Sequence, residues 1–85
     1  MTVDFYYSSD GNEYFIEGQG EYKNSFDPMS QIPVFLVHRV ALKVVWNGDE
    51  TWVNIPLKKM PVKLMFEIED KGDELVTQHI EENKL

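Results

Sequence analysis

Val40-Ala41-Leu42-Lys43-Val44-Val45-Trp46-Asn47-Gly48-Asp49-Glu50-Thr51-Trp52-Val53-Asn54-Ile55-Pro56-Leu57 is the stretch whose reading decides the fold. Val40, Leu42, Val44 and Trp46 alternate with Ala41, Lys43 and Val45, and Thr51, Val53, Ile55 and Leu57 alternate with Trp52, Asn54 and Pro56. Period-two alternation places one set of side chains on each face of a strand. An Asn-Gly pair between two such runs signals a β-hairpin, because tight primed turns need positive φ at their central residues. A two-residue loop pairs Val44 with Thr51, and a four-residue loop pairs Val44 with Val53. The two registers differ by an even step, so both leave the same apolar residues on one face.

The N-terminal third repeats the logic. Asp10-Gly11 separates Thr2–Tyr7 from Tyr14-Phe15-Ile16. A two-residue loop there puts Val3, Phe5, Tyr7, Tyr14 and Ile16 on one face and Tyr6 and Phe15 on the other. This register sets Asp4 opposite Glu17, an unfavourable like-charge pair. Gly18-Gln19-Gly20 reads as a flexible turn or bulge, after which Glu21–Phe26 resumes as a short strand. Asp27-Pro28-Met29-Ser30 reads as one helical turn, with Asp27 as its cap. Pro33 restricts any strand around it to an edge or a bulge.

C-terminal to the second hairpin, Lys58-Lys59-Met60-Pro61 is a connection. Val62, Leu64, Phe66 and Ile68 then alternate with Lys63, Met65, Glu67 and Glu69, the pattern of a further strand. Asp70-Lys71-Gly72-Asp73 reads as a turn. Residues 74–85 fit a helix capped by Asp73, with Leu75, Val76, His79 and Ile80 at helical spacing, slightly better than a strand. The expected architecture is mainly β (β-rich α+β). It is an antiparallel meander of five or six strands closed into a small barrel or sandwich, with a C-terminal helix if the tail is not a strand.

Eighty-five residues make a single domain, 1–85. With 42% hydrophobic and 13% aromatic residues, the chain can fold despite a net charge of −7. There is no cysteine, which excludes disulfides, thiol nucleophiles and thiolate metal sites. Met1-Thr2-Val3-Asp4-Phe5 does not read as a signal peptide. The longest aliphatic or aromatic run, Val34-Phe35-Leu36-Val37, falls far short of the ~20 residues of a spanning helix. The expected compartment is the cytoplasm. Charge is uneven: residues 1–36 carry −5, residues 37–66 carry +3, and residues 67–85 carry −5. An acidic surface repels nucleic acid and anionic lipid, so direct contact with either is not expected.

No residue pattern carries chemistry. His38 and His79 stand alone, without a second ligand at metal-binding spacing. His38 shares the strand parity of Val40 and Leu42, which places its imidazole at the edge of the core or near a sheet end. Asp70-Lys71-Gly72-Asp73-Glu74 lacks the alternating ligands of a calcium loop. Ser8, Ser9, Ser25 and Ser30 lie in turns or loops without a nucleophile elbow. Neither a catalytic site, a metal nor a cofactor is expected.

What stands out is the second sheet face. Tyr6, Phe15, Arg39, Lys43 and Trp52 fall there together with Ala41 and Val45, where a one-sided sheet carries polar residues. Either another element covers them, or they form a charged-rimmed aromatic patch for docking a protein. The second candidate surface is acidic: Glu67, Glu69, Asp70, Asp73 and Glu74. On a strand Glu67 and Glu69 point the same way, about 6.6 Å apart. Such a row can imitate a nucleic-acid backbone. The expected function is thus a non-enzymatic protein-binding module, a small acidic regulator, adaptor or inhibitor. The alternatives are a nucleic-acid-mimicking inhibitor of a DNA- or RNA-handling enzyme, of phage or mobile-element type, and a small barrel for an apolar ligand. A protein partner is expected, and the chain itself is expected to be a monomer or weak homodimer through a free strand edge.

Overall fold

The computed structural model describes residues 1–24 and 31–82. Among them, four strands form one open antiparallel sheet in chain order: β1 (Thr2–Ser9), β2 (Asn12–Asn24), β3 (Gln31–Trp46) and β4 (Asp49–Ile55). A 3₁₀ turn, Leu57–Lys59, leads into a 21-residue helix, α1 (Val62–Glu82). The helical turn expected at 27–30 lies outside the described residues.

Both hairpins close through two-residue loops. Asp10 and Gly11 have φ of 51° and 79°, and Asn47 and Gly48 have 50° and 83°. Positive φ at both central positions gives the twist that antiparallel strands need, which is why Asp-Gly and Asn-Gly occupy them. The registers follow: Tyr7 pairs with Tyr14, Phe5 with Ile16, and Val44 with Thr51. Phe5, Tyr14, Ile16 and Val40 all turn to the same side and are buried there.

The mainly β class holds, but the strand count and closure differ from expectation. Residues 62–69 are not a strand, and 70–73 are not a turn; both lie inside α1. The alternation Val62, Leu64, Phe66, Ile68 is coincidental, since Val62 and Phe66 are exposed. The stripe that meets the sheet is Leu64, Met65, Ile68, Leu75 and Val76, at helical spacing. Lys, Leu, Met and Glu dominate residues 63–75, and all are strong helix formers. With that segment helical, no further strand among the described residues closes a barrel or forms a second sheet. Instead α1 covers one face of the open sheet, and no described element lies on the other.

Three glycines let the two layers approach. Gly18 and Gly20 sit within β2, not in a turn between strands. A β-carbon on Gly18 would collide with the Phe35 ring, and one on Gly20 would come within 2.8 Å of Val76. Gly72 meets the opposite side of the Phe35 environment, where a β-carbon would lie 2.8 Å from that of Phe35 and closer still to its ring. Phe35 is therefore held between β2 and α1. Ile16, Val40, Ile68 and Val76 are fully buried around it, each contributing on the order of 1.5–3 kcal/mol.

Asp73 does not cap a helix. Its carboxylate accepts the Phe35 backbone N–H at 2.7 Å. β4 pairs only with residues 40–46 of β3, so the N-terminal half of β3 has no strand on that side. Asp73 supplies the missing acceptor, and Pro33 is tolerated in the same half for the same reason.

β3 carries a bulge. Gly18 pairs with Val37 but Glu17 pairs with Arg39, leaving His38 unpaired. The extra residue exchanges the faces: Phe35 and Val37 turn toward α1 before it, Val40 and Leu42 after it. His38 is exposed at the bulge instead of bordering the core, because parity does not carry across the inserted residue. The 16 residues of β3 span about 53 Å and the 21 residues of α1 about 32 Å. The sheet therefore outruns its helix, and Val44, Trp46 and Val53 at the far hairpin end are left uncovered.

Candidate functional site: the uncovered aromatic face

On the bare side of the sheet, Tyr6, Phe15 and Trp52 come from β1, β2 and β4. Their ring centroids lie 5.0 Å (Tyr6–Phe15), 5.9 Å (Tyr6–Trp52) and 6.3 Å (Phe15–Trp52) apart. Tyr6 and Phe15 are direct cross-strand partners. Trp52 can reach them because the β3 position opposite Phe15 is Ala41, a small residue that lies 1% exposed beneath the rings. These offset and tilted contacts are each worth about 0.5–1.5 kcal/mol beyond burial. The cluster nevertheless stays open: Tyr6 is 71% and Trp52 42% exposed. A shallow cleft runs through it, lined by Tyr6, Phe15, Arg39, Ala41, Trp52 and Asn54.

Ion pairs bracket the rings at both ends. At one end Arg39 donates to Glu17 at 2.6 Å and to the Asn54 side-chain oxygen at 3.4 Å. The register explains the arrangement, since Asp4, Glu17 and Arg39 form one row across three strands. The like-charge Asp4–Glu17 pair is accepted because Arg39 stands next in line. At the other end Lys43 lies 3.1 Å from both Glu13 and Glu50. Hydrogen bonds to Glu50 and then Glu13 hold the Lys43 ammonium above the ordinary lysine range, with partial desolvation opposing them.

All five residues expected to form a docking patch, Tyr6, Phe15, Arg39, Lys43 and Trp52, thus share this face. The sequence reading missed the carboxylates that engage its two cations. Glu13 and Glu17 become partners of Lys43 and Arg39 only once the β2–β3 register and its bulge are known, and no local pattern encodes either.

The expected acidic row does not form. On a helix, Glu67 and Glu69 are separated by about 200° and point to different flanks. Tyr7 donates to Glu67 at 3.2 Å, which draws that carboxylate toward β1. Burial, and then the hydrogen bond and negative charge of Glu67, push the Tyr7 phenol up. Asp73 is committed to Phe35, Glu74 lies 3.8 Å from Lys71, and Asp70 is exposed. Among the described residues no three His, Asp or Glu side chains are grouped to share a metal ion, and no polar or charged side chain is buried. No helix is long and apolar enough to cross a membrane.

No family model matches the chain, and no curated protein or solved structure is detectably similar to it.

Proposed function

We propose that this chain is a non-enzymatic protein-binding module, a small acidic regulator, adaptor or inhibitor, that docks through the uncovered face of its sheet. One observation carries the reading. Three aromatic side chains from three strands are packed in tilted contacts on a face that no described element covers, with Tyr6 71% and Trp52 42% exposed. Large rings already held by their neighbours lose little side-chain freedom on binding, and Tyr and Trp are the residues that dominate interface energetics. Nucleic-acid mimicry receives less support, because the acidic side chains are dispersed around α1 and partly engaged within the fold. A ligand-holding barrel receives none from an open sheet.

The test compares two double substitutions in affinity capture from extract of the cells that make the protein. Tyr6→Ala/Trp52→Ala strips the proposed face. Trp46→Ala/Val53→Ala strips the exposed hairpin end on the α1 side. The first variant should lose its captured protein by tenfold or more, as hot-spot truncations do, and the second should retain it. Loss in the second and retention in the first would assign docking to the hairpin end.

A further inference from the structure

We infer that the partner of the aromatic face is a basic protein surface that presents arginine side chains to Tyr6 and Trp52. The inference rests on the docking proposal and narrows it to one chemistry.

The argument is electrostatic. Among residues whose side chains are described, strand parity places Asp4, Glu13, Glu17, Glu21 and Glu50 on the same face as the rings, against Arg39 and Lys43. Both cations are already engaged by carboxylates of the chain itself, Arg39 by Glu17 and Lys43 by Glu13 and Glu50. They are therefore not free to recognise an acidic partner. Asp4 and Glu21 are exposed, and no ion pair engages either among the described residues. A partner approaching this face meets a surplus of negative charge around a patch of π-electron faces.

An acidic protein or a nucleic-acid strand would be repelled, even though the rings could stack on bases. A cationic surface gains twice. Its charges pair with the outward carboxylates, and a guanidinium can lie flat on an indole or phenol ring within about 6 Å of the centroid. Arginine fits better than lysine, because its planar, weakly hydrated group stacks on a ring and still donates hydrogen bonds at its edge. Asp4, together with the lone pairs that Glu17, Glu13 and Glu50 keep beyond their single-oxygen ion pairs, offers acceptors for that edge.

The probes are nona-arginine, nona-lysine, nona-glutamate and a nine-nucleotide oligothymidine. Binding is followed through the Trp52 indole N–H resonance and the ring resonances of Tyr6 and Phe15 at low salt. Nona-arginine should shift these resonances at concentrations several-fold lower than nona-lysine. Nona-glutamate and the oligonucleotide should leave them unmoved. Asp4→Asn/Glu21→Gln should weaken nona-arginine binding roughly 3- to 10-fold, and the loss should shrink as salt rises. The inference is overturned if the oligonucleotide or nona-glutamate shifts Trp52 more than nona-arginine does. It is equally overturned if nona-arginine shifts only residues of α1.

The captured partner separates the two claims. If capture requires Tyr6 and Trp52 but is indifferent to salt and to Asp4→Asn/Glu21→Gln, docking stands and the basic partner falls. If capture survives Tyr6→Ala/Trp52→Ala, both fall together.

Discussion

Gly72→Ala is the most revealing single substitution for the fold. In an exposed helix interior the change stabilises by about 0.8–1 kcal/mol, because alanine recovers the backbone freedom that glycine squanders. At Gly72 the sign should reverse. The new methyl would sit 2.8 Å from the Phe35 β-carbon and closer still to its ring, whereas carbon atoms pack at about 3.5–4.0 Å. Phe35 cannot retreat, because Gly18 closes the far side of its ring, so the helix must lift from the sheet. Overpacking of this kind costs about 1–3 kcal/mol and occasionally more. With ring contacts this short the cost should fall at the upper end of that range, so less the propensity gain a net loss of about 1–2 kcal/mol is expected, lowering Tm by roughly 4–8 °C per kcal/mol in a domain of this size.

Urea unfolding followed by circular dichroism measures the change, and a double-mutant cycle with Phe35→Ala assigns it. Without the ring only the 2.8 Å approach of the two β-carbons remains, so Gly72→Ala in that background should lose most of its cost. A Gly72→Ala protein as stable as the parent, or the same loss in both backgrounds, would refute the account of Phe35 held between strand and helix.

Other outcomes follow from contacts already described. Asp73→Ala should cost about 1.5–3 kcal/mol by orphaning the Phe35 N–H, while Asp73→Asn retains an acceptor and should lose less; amide exchange at Phe35 reports both. Arg39→Ala should cost about 0.5–1 kcal/mol by unmasking the Asp4–Glu17 repulsion, and raising salt should recover much of it in urea titrations. The Tyr7 phenol and the Lys43 ammonium both hold their protons more tightly in the folded chain than the ordinary values of 10.0 and 10.5. Their contribution is complete below those values and is lost as pH rises through the higher folded ones. Stability should therefore decline above about pH 10, and less steeply in Tyr7→Phe; parallel decline in urea midpoints between pH 8 and 11.5 would contradict this.

The parts of the fold legible in the sequence are those with local causes. Asp10-Gly11 and Asn47-Gly48 need only neighbouring residues to specify a turn, and each turn fixes its own register. The division of Tyr6, Phe15 and Trp52 from the core followed from parity alone. The first turns of α1 were misread because Val62, Leu64, Phe66 and Ile68 satisfy a strand pattern, although Leu64, Met65, Ile68, Leu75 and Val76 satisfy a helical one at the same time. The surplus of helix formers was the signal that could have decided between them. Gly72 looked like a turn because its purpose, proximity to Phe35, depends on a residue 37 positions away. Likewise, the engagement of Arg39 and Lys43 depends on which strand lies beside β3 and where its extra residue falls.

That extra residue behaves like a shift of reading frame in space. Ahead of His38 the odd-numbered positions of β3 serve the interior, and beyond it the even-numbered ones do. Excising His38 would join the two halves in one unbroken alternation, with Phe35, Val37, Val40 and Leu42 all still on the interior side and Val37 and Arg39 pairing with Gly18 and Glu17 in direct succession. Substituting it would change a single exposed side chain. The bulge thus costs the strand no interior position, and a melting curve of the one-residue deletion beside that of His38→Ala should show both variants folded; loss of folding in the deletion alone would show that the local bend at the bulge is itself required.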